Sequence, residues 1–300
     1  MSSGLPVPRR IDRGLSLLRS LPRRHVNGIL ARLGGSRVRS QEFWLTNASG
    51  YRIHGHVHEP DDQQPRPAVV LVPGRGLSGG IFCSRQYLIS ANELAHLGVR
   101  AIHFDPVGRG RSWGHDDFCG AEGQDSLRAT LDFVHNLRRV DRKNVGVLSF
   151  SSGLCLAVPC LTEHGERLGT RFLVDWEGPA SRQEILRGGP LPPAARTAMA
   201  QSPEHFWALR EPIQWIDRLP CKYVRIQGRD DHSQGAGGQQ GALRLIAAAT
   251  QGEAKSTLLW NNASDTAWRP EQAQELEWAP EGTKALNKVL LSCVAQLSGL

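Results

Sequence analysis

Apolar runs of strand length alternate with amphipathic segments of helix length along most of the chain. An alternating strand is predicted at 51–60, strands buried on both faces at 67–74, 99–108, 144–150, 170–178 and 221–231, and a last strand at 254–262. Helical periodicity marks 84–98, 123–139, 152–164, 237–250 and 284–297. Because strands alternate with helices, the pattern predicts an α/β fold with a mostly parallel sheet flanked by helices.

One interval breaks this alternation. Residues 179–220 separate two buried strands and are rich in Pro, Trp and Arg. Since the interval is too long for a simple crossover, we expect a helical lid over the strand ends. The predicted organisation is a basic arm or helix at 1–45, followed by one α/β domain at 46–300 that carries the lid.

The positive charge of the protein is concentrated at its N-terminus. Residues 1–40 hold nine arginines and one acid, which gives +8 against a net charge of +7 for the chain and leaves −1 for the remainder. A nearly neutral body argues against nucleic acid as the main partner. The apolar positions of the arm recur at helical spacing, which fits a helix packed on the domain, an organelle-targeting segment or a contact with an anionic surface.

Other features of the composition favour a cytoplasmic protein. The chain has no run of about 18 apolar residues that would predict a membrane span, and no apolar signal region at its start. The six cysteines show no CxxC spacing, which predicts reduced, buried thiols and no zinc site. His54, His56 and His58 alternate on one strand face, a spacing that suits a metal, but we expect an exposed polar face there.

A serine follows the third buried strand within VGVLSFSSGL (145–154). Ser151 lies between a predicted strand and a predicted helix, with Ser149 two residues before it and Gly153 two residues after it. A nucleophile on such a turn has a strained backbone, so its neighbours at these two positions must be small. Ser151 is therefore a candidate nucleophile, and the alternative is an ordinary polar residue at the end of a buried strand.

Three further motifs occur in the order expected around such a serine. They are VLVPGRGLSGG after the first buried strand, FDPVGRGRSWG after the second and RIQGRDD at the end of the fifth. Together with the Ser151 turn they resemble the α/β-hydrolase superfamily, in its small-esterase, dienelactone-hydrolase and prolyl-oligopeptidase-like branches. The resemblance covers about residues 50–297 and implies an α/β-hydrolase-like sheet with a lid.

The resemblance also implies roles for individual residues. The backbone N–H groups of Arg75 and Ser152 would form an oxyanion hole, although Pro73 replaces the histidine that commonly precedes the glycine of this loop. Gly228 and Asp231 match the G-x-x-D pattern that carries the acid of the family. Asp231 is thus one candidate acid of a catalytic triad.

The histidine of the family is missing from its usual place. It normally lies on the loop after the last strand, here within WNNASDTAW (260–268), where Asp265 or a neighbour occupies the expected stretch. The last histidine of the chain is His232. Because a serine hydroxyl is a poor nucleophile without a base, this departure bears directly on function.

Three resolutions stay open. In the first, His232 is the base and is oriented by Asp175 or Glu177 of the VDWEG segment. In the second, His115 or His205 reaches the serine from a loop or from the lid. In the third, the base is absent and the protein binds a small molecule without hydrolysing it.

The sequence as a whole favours a serine hydrolase that acts on a carboxylic ester or amide through an acyl-enzyme on Ser151. Trp176, Trp207 and Trp215 could line an apolar acyl pocket, or they could simply pack the lid. The expected partner is a small-molecule substrate, with a homodimer left open, no stable membrane insertion and no cofactor. The second class is a non-catalytic or non-hydrolytic member of the same fold.

A nucleotide-binding interpretation competes for the glycine-rich loop. Residues 74–79 match G-x-G-x-x-G after a strand, and the next strand ends at Asp105. That motif needs a helix N-terminus at the glycines to hold a pyrophosphate. The helical pattern starts later, so this interpretation is disfavoured.

Overall fold

An eight-stranded sheet runs through the centre of the protein. The computed structural model describes residues 37–84, 87–188, 193–228, 231–235, 237–261 and 283–300. The strands are β1 (Val38–Thr46), β2 (Arg52–Pro60), β3 (Arg66–Val72), β4 (Arg100–Phe104), β5 (Val140–Phe150), β6 (Thr170–Trp176), β7 (Lys222–Gln227) and β8 (Ser256–Asn261). Their spatial order is β1-β2-β4-β3-β5-β6-β7-β8. Only the β1–β2 and β2–β4 pairs are antiparallel, so the predicted α/β fold with a mostly parallel sheet is confirmed.

Helices cover both faces of this sheet. In the described part of the chain they are α1 (Ala91–His96), α2 (Ala121–Asn136), α3 (Leu154–His164), α4 (Arg182–Arg187), α5 (Pro193–Ala200), α6 (Glu204–Ala208), α7 (Gly238–Gln251) and α8 (Thr283–Leu297). Short 3-10 turns occupy Gly79–Cys83, Ser151–Gly153, Pro212–Gln214 and Ile216–Arg218. The second of these turns contains Ser151, the candidate nucleophile.

The strand β3 is apolar from Pro67 to Val72 because both of its faces are buried. Along β3, Val70 and Val72 pack into one apolar cluster with α2, α3 and α7, whereas Val69 and Leu71 pack into a second cluster with α1 and α8. Successive residues of a strand point to opposite faces, so a strand between two helical layers needs apolar residues throughout. This is the physical reason for the continuous apolar runs in the sequence.

The sheet begins earlier than the sequence indicates. β1 pairs with β2 over its whole length, from Val38 to Thr46, and therefore lies partly within the segment 1–45 that we assigned to the arm. Only Phe43 of this strand is buried, so its sequence carries a weak strand signal. Residues 1–36, which hold most of the basic arm, lie outside the described residues.

The helix predicted at 84–98 is shorter in the structure. α1 starts at Ala91, where Ser90 and Glu93 form a reciprocal capping box. Gly79, the last glycine of the G-x-G-x-x-G segment, lies in a 3-10 turn rather than at the start of this helix. The glycines thus have no helix N-terminus for a pyrophosphate, which removes the structural basis of the nucleotide interpretation.

The segment between β6 and β7 forms the predicted helical insertion. It contains α4, α5, α6 and two 3-10 turns, while residues 189–192 lie outside the described part. Arg182 of α4 pairs with Glu204 of α6 at 2.5 Å and with Glu211 at 3.3 Å. These ion pairs connect the short helices of the lid to one another.

Gly146 of β5 is a position where a larger side chain has no room. A Cβ there would come 2.1 Å from the ring of Phe172, which is fully buried on β6. Because the ring cannot yield without overpacking, we expect Gly146→Ala to lower the free energy of unfolding by about 1–3 kcal/mol. Urea denaturation measures this change.

The matched control is Gly80→Ala. The nearest atom to a Cβ at Gly80 is the Ser78 Oγ at 3.5 Å, an ordinary contact. We expect this variant to stay within about 0.5 kcal/mol of the native protein. Equal stabilities for the two variants would contradict the packing argument.

Candidate active site

Ser151 occupies a tight turn between β5 and α3. Its φ of 52° lies in the left-handed region that residues other than glycine rarely adopt. A Cβ on Gly153 would come 2.8 Å from the carbonyl oxygen of Val72, so a side chain does not fit at that position. Ser149 is fully buried between β3 and β6. The turn therefore has the strained geometry that the small flanking residues predict.

The loop after β3 approaches the same serine. A Cβ on Gly74 would lie 3.3 Å from the Ser151 Cβ. The Arg75 guanidinium donates hydrogen bonds to the carbonyl oxygens of Ile185 (2.7 Å) and Gly188 (3.0 Å), which fixes the loop against the lid. Within the described residues, neither the Arg75 N–H nor the N–H of the residue after Ser151 donates to another group. Two such N–H groups next to a nucleophile can form an oxyanion hole.

A hydrogen-bonded chain of three side chains starts at Ser151. Its Oγ lies 2.9 Å from His232 Nε2, and His232 Nδ1 lies 2.8 Å from Glu177 Oε2. Because a carboxylate can only accept, Nδ1 donates to Glu177 and Nε2 is left to accept the serine O–H. The Trp176 ring stacks on the imidazole with 4.5 Å between centroids, which restricts its orientation. A chain of this geometry can draw the proton from a serine hydroxyl.

Glu177 is fixed in place by its own hydrogen bonds. Its side chain is fully buried, and Oε1 accepts from the Gly228 N–H at 2.9 Å. Oε2 accepts from the backbone N–H of His232 at 3.0 Å as well as from its ring. The same carboxylate thus holds both the loop that carries the histidine and the histidine side chain.

Asp175 does not contact His232, which corrects its assignment as the acid. Its carboxylate accepts from the Arg225 guanidinium at 2.6 Å, the Tyr223 hydroxyl at 2.9 Å and the Gly178 N–H at 3.0 Å. Burial raises the pKa of Asp175, and the guanidinium of Arg225 opposes that shift. Asp175 is therefore a buried structural carboxylate, the alternative role for a charged residue inside a sheet.

Asp231 also takes another role than that of the acid. Its Oδ1 accepts from the N–H and hydroxyl of Ser233 and from the N–H of Gln234, at 2.8 to 3.0 Å, and lies 3.7 Å from His232 Nδ1. Its Oδ2 accepts from Gln227 at 3.1 Å. Asp231 thus shapes the turn that presents His232, because short carboxylate side chains bond backbone N–H groups a few residues ahead.

The other candidate bases are placed away from the serine. His115 and His205 are both exposed, and neither hydrogen-bonds to Ser151 in the part of the chain that the structure describes. Asp265 lies outside the described residues, as does the rest of 262–282. Among the histidines named from the sequence, His232 is the one that the structure brings to the serine.

A cavity adjoins the turn behind Ser151. It is lined by Arg75, Arg109, Phe118, Cys119, Ser152, Cys155, Ile185, Met199 and Arg210. The predicted pocket residues Trp176 and Trp207 are not among these lining residues. Trp176 instead packs on His232, and Trp207 is almost fully buried within the lid. The lining is thus apolar with three guanidinium groups rather than rich in tryptophan.

The alternating histidines of β2 do not form an exposed polar face, so that prediction is wrong. His54 and His58 are buried, and only His56 is partly exposed. His103 of the neighbouring β4 stacks on His56 with 5.4 Å between centroids. Burial lowers the pKa of His58 and lowers the pKa of His103 to about 3, so both imidazoles are neutral at neutral pH.

The sequence contains a pattern that could have singled out Glu177 as the carboxylate beside His232, but this pattern is ambiguous. Asp175 and Glu177 are two residues apart, so a continued strand would place both on the same face. β6 ends at Trp176, and Glu177 has a φ of 50°, which turns its side chain out of the alternation. A carboxylate directly after a strand end and before a glycine, here Gly178, is the pattern that could have singled it out.

Comparison with known proteins defines the fold. Neither a family model nor a curated protein sequence matches this chain. Among solved structures, a puromycin hydrolase matches with a TM-score of 0.61 and 18% identity over 88% of this chain and 40% of that one. A putative dipeptidyl aminopeptidase IV from Bacteroides ovatus matches with a TM-score of 0.60 and 14% identity over 88% of this chain and 36% of that one.

An esterase from Pyrococcus furiosus is similar over nearly its full length. It matches with a TM-score of 0.59 and 15% identity, over 89% of this chain and 93% of that one. The chain therefore spans less than half the length of the first two proteins and nearly all of the third. These likenesses show that the protein has the α/β-hydrolase fold. Among the helices of the described residues, none is long and apolar enough to cross a membrane.

The pairing of Asp175 with Arg225 generates a stability prediction. Both side chains are essentially inaccessible, so removing one partner leaves the other charge buried and unpaired. We expect Asp175→Ala to lower the free energy of unfolding by about 3–5 kcal/mol. Asp217→Ala is the control, because Asp217 pairs with Arg218 at the surface, and its change should stay below about 1 kcal/mol. Chemical denaturation that finds the two variants equally stable would contradict this interpretation.

Proposed function

We propose that the protein is a serine hydrolase that cleaves carboxylic esters or amides through an acyl-enzyme on Ser151. The observation that carries the proposal is the hydrogen-bonded chain from Ser151 through His232 to Glu177. The left-handed backbone of Ser151 adds support, since an exposed nucleophile on a strand-to-helix turn adopts such strain. The similar structures, whose names include a hydrolase and an esterase, favour the same class of reaction.

Acylation starts with attack of the Ser151 Oγ on the substrate carbonyl carbon. His232 Nε2 takes the hydroxyl proton, and the buried Glu177 carboxylate stabilises the imidazolium that forms. The carbonyl oxygen becomes an oxyanion, which the N–H groups of Arg75 and Ser152 would bind. Collapse of this intermediate breaks the bond to the alcohol or amine, which leaves with the proton from His232.

Deacylation repeats these steps with water as the nucleophile. His232 takes a proton from water, the resulting hydroxide attacks the acyl carbon, and a second oxyanion forms at the same N–H groups. The carboxylic acid then leaves as the Ser151 hydroxyl regains its proton. The exposed edge of His232, whose side chain is 32% accessible, allows water to reach Nε2.

The rival function is a small-molecule binder that has lost its base. The reason to consider such a binder is that the sequence has no histidine on the loop after the last strand. The 2.9 Å contact between Ser151 and His232 weighs against it, because this contact supplies a base from the loop after β7 instead. A serine-directed fluorophosphonate probe separates the two functions, since it labels only a serine that a base has activated.

Removal of Ser151 or of His232 should lower turnover to a similar extent. We expect Ser151→Ala and His232→Ala each to lower ester turnover by about 10⁴-fold or more, because the two residues act as one unit. The double variant should be little worse than either single variant. Hydrolysis of a series of nitrophenyl esters measures turnover, and thermal melting checks that each variant is folded.

His115→Ala and His205→Ala are matched controls for this test. Both histidines are exposed, and their loss should leave turnover and fluorophosphonate labelling unchanged. If His232→Ala stays active while one of the two controls does not, the base has been assigned to the wrong residue. If the native protein neither turns over esters nor reacts with the probe, the binder is favoured instead.

The acid can be identified by an isosteric change. Glu177→Gln places an amide beside His232 Nδ1, and its N–H₂ group would favour the tautomer with the proton on Nε2. We expect turnover to fall by about 10³–10⁴-fold, because that tautomer cannot accept the Ser151 proton. Glu93→Gln is the control, since glutamine also completes the capping box of α1. Unchanged turnover in Glu177→Gln would remove Glu177 from the mechanism.

A further inference from the structure

Three metal-binding side chains converge on the face of the sheet between β2 and β4. His58 Nε2 lies 3.1 Å from His103 Nε2, and Cys83 Sγ lies 3.4 Å from the same His103 nitrogen. All three ligand atoms lie within 4.8 Å of one another. His58 and His103 come from neighbouring strands, while Cys83 comes from the 3-10 turn that follows the candidate oxyanion loop.

The spacing of these atoms fits one small metal ion. Zinc binds imidazole nitrogen at about 2.0–2.1 Å and thiolate sulfur at about 2.3 Å in a tetrahedral arrangement. These lengths place two nitrogen ligands about 3.3 Å apart, and a nitrogen and a sulfur ligand about 3.6 Å apart. The observed separations of 3.1 and 3.4 Å differ from these values by about 0.2 Å each.

The orientation of His58 is that of a metal ligand. Its Nδ1 lies 2.8 Å from the Asn92 Oδ1 at the start of α1. The amide oxygen accepts a hydrogen bond, so Nδ1 carries the proton and Nε2 presents its lone pair toward the cluster. Metal-bound histidines use their second nitrogen in this way, and the outer partner fixes both the tautomer and the ring orientation.

Neither neutral tautomer of His103 has both ring nitrogens favourably paired in the described residues. Its Nδ1 is buried and has no hydrogen-bond partner in the described part of the chain. If Nε2 carries the proton, Nδ1 is a buried acceptor without a donor. If Nδ1 carries the proton, the lone pairs of the two Nε2 atoms face each other at 3.1 Å. A cation between the two Nε2 atoms removes this repulsion, because both lone pairs then become ligands.

We propose that His58, His103 and Cys83 form a zinc site. Binding converts the Cys83 thiol to a thiolate and releases one proton. Cys83 is a free thiol, and it alone among the six cysteines is exposed, so the ion can enter from solvent on its side. A water molecule completes the four ligands. The donor set of two imidazoles and one thiolate suits Zn²⁺, which is borderline in softness, better than the oxygen-seeking Mg²⁺ or Ca²⁺.

A second group of potential ligands on the same sheet is less suited to a cation. Glu42, His54 and His56 also have ligand atoms close together. The Arg111 guanidinium lies 3.0 Å from the Glu42 carboxylate and 3.2 Å from His54 Nε2, and so occupies that position with a positive charge. In the described part of the chain, no guanidinium or ammonium group hydrogen-bonds to His58, His103 or Cys83.

The zinc site would hold in place the 3-10 turn Gly79–Cys83, which follows the candidate oxyanion loop. Phe82, next to Cys83, is fully buried and packs on Phe150 with 5.1 Å between centroids. Phe150 directly precedes Ser151. A ligand bond at Cys83 therefore ties this segment to β2 and β4 and limits its motion beside the nucleophile.

The test uses the full chain after removal of metal with a chelator and dialysis. We expect calorimetric titration with Zn²⁺ to give one site per chain, and Co²⁺ to give the near-ultraviolet charge-transfer band of a thiolate ligand. Cys83→Ser should abolish that band. It should also weaken Zn²⁺ binding by at least about 10–100-fold, the loss expected when a residue that only orients a ligand is removed. Asn92→Ala should weaken Zn²⁺ binding by about 10–100-fold while keeping the band.

His56→Gln is the matched control, because this neighbouring histidine has no ligand atom in the proposed site. It should retain Zn²⁺ binding and the thiolate band. Loss of binding in His56→Gln with full binding in Cys83→Ser would assign the metal to Glu42, His54 and His56 and overturn the proposal. Equal Zn²⁺ affinity of the native protein and Cys83→Ser, or a Co²⁺ complex without a thiolate band, would overturn it as well.

Discussion

The side-by-side alignment of three parallel strand ends is the constraint on which the candidate active site depends. Ser151, Glu177 and His232 follow β5, β6 and β7, which are adjacent in the sheet and point the same way. The registers that pair Ser149 with Asp175, and Asp175 with Arg225, fix how far each loop extends past the common edge. A slip of one residue would reverse the faces of these side chains and break the chain of hydrogen bonds.

Two acidic residues of the same short segment have different roles because they have different surroundings. Asp175 lies inside the sheet, where the Arg225 guanidinium neutralises it and the Tyr223 hydroxyl donates a further hydrogen bond to it. Glu177 lies one residue past the strand and, among the described residues, bonds only backbone N–H groups and the His232 ring. Asp175 stabilises the sheet next to the site, whereas Glu177 is available to orient the His232 imidazole.

A buried polar network connects Asp175 to the turn that carries His232. Arg225 bonds both Asp175 and Gln227, and Gln227 in turn bonds Asp231 of the turn that carries His232. The position of the histidine thus depends on charged groups at the end of the sheet, which are costly to bury unless every partner is present. This dependence explains how a base can be held on the loop after β7 without a histidine on the loop after β8.

The sequence by itself determined the mostly parallel α/β architecture and singled out Ser151 as the candidate nucleophile, because both follow from local patterns. Continuous apolar runs specify strands buried on two faces, and small residues around Ser151 specify a strained turn. From the sequence, His232 could be named only as one of three candidate bases, and the candidate acid stayed open among Asp175, Glu177 and Asp231. Only the tertiary structure shows which of these side chains lie within hydrogen-bond distance of one another, since a triad is defined by distances between residues that are far apart in the chain.

The surroundings of the β2 histidines were likewise set by the tertiary structure and not by the sequence pattern. Their alternation was visible in the sequence, but a strand pattern does not say what covers the face. The structure pairs β2 with β4 and places α1 against β2 and the 79–83 turn against β4, which buries His58 beside His103 and Cys83. Partners that are 20 and 45 residues apart leave no spacing motif, so only the packing of strand, turn and helix brings them together.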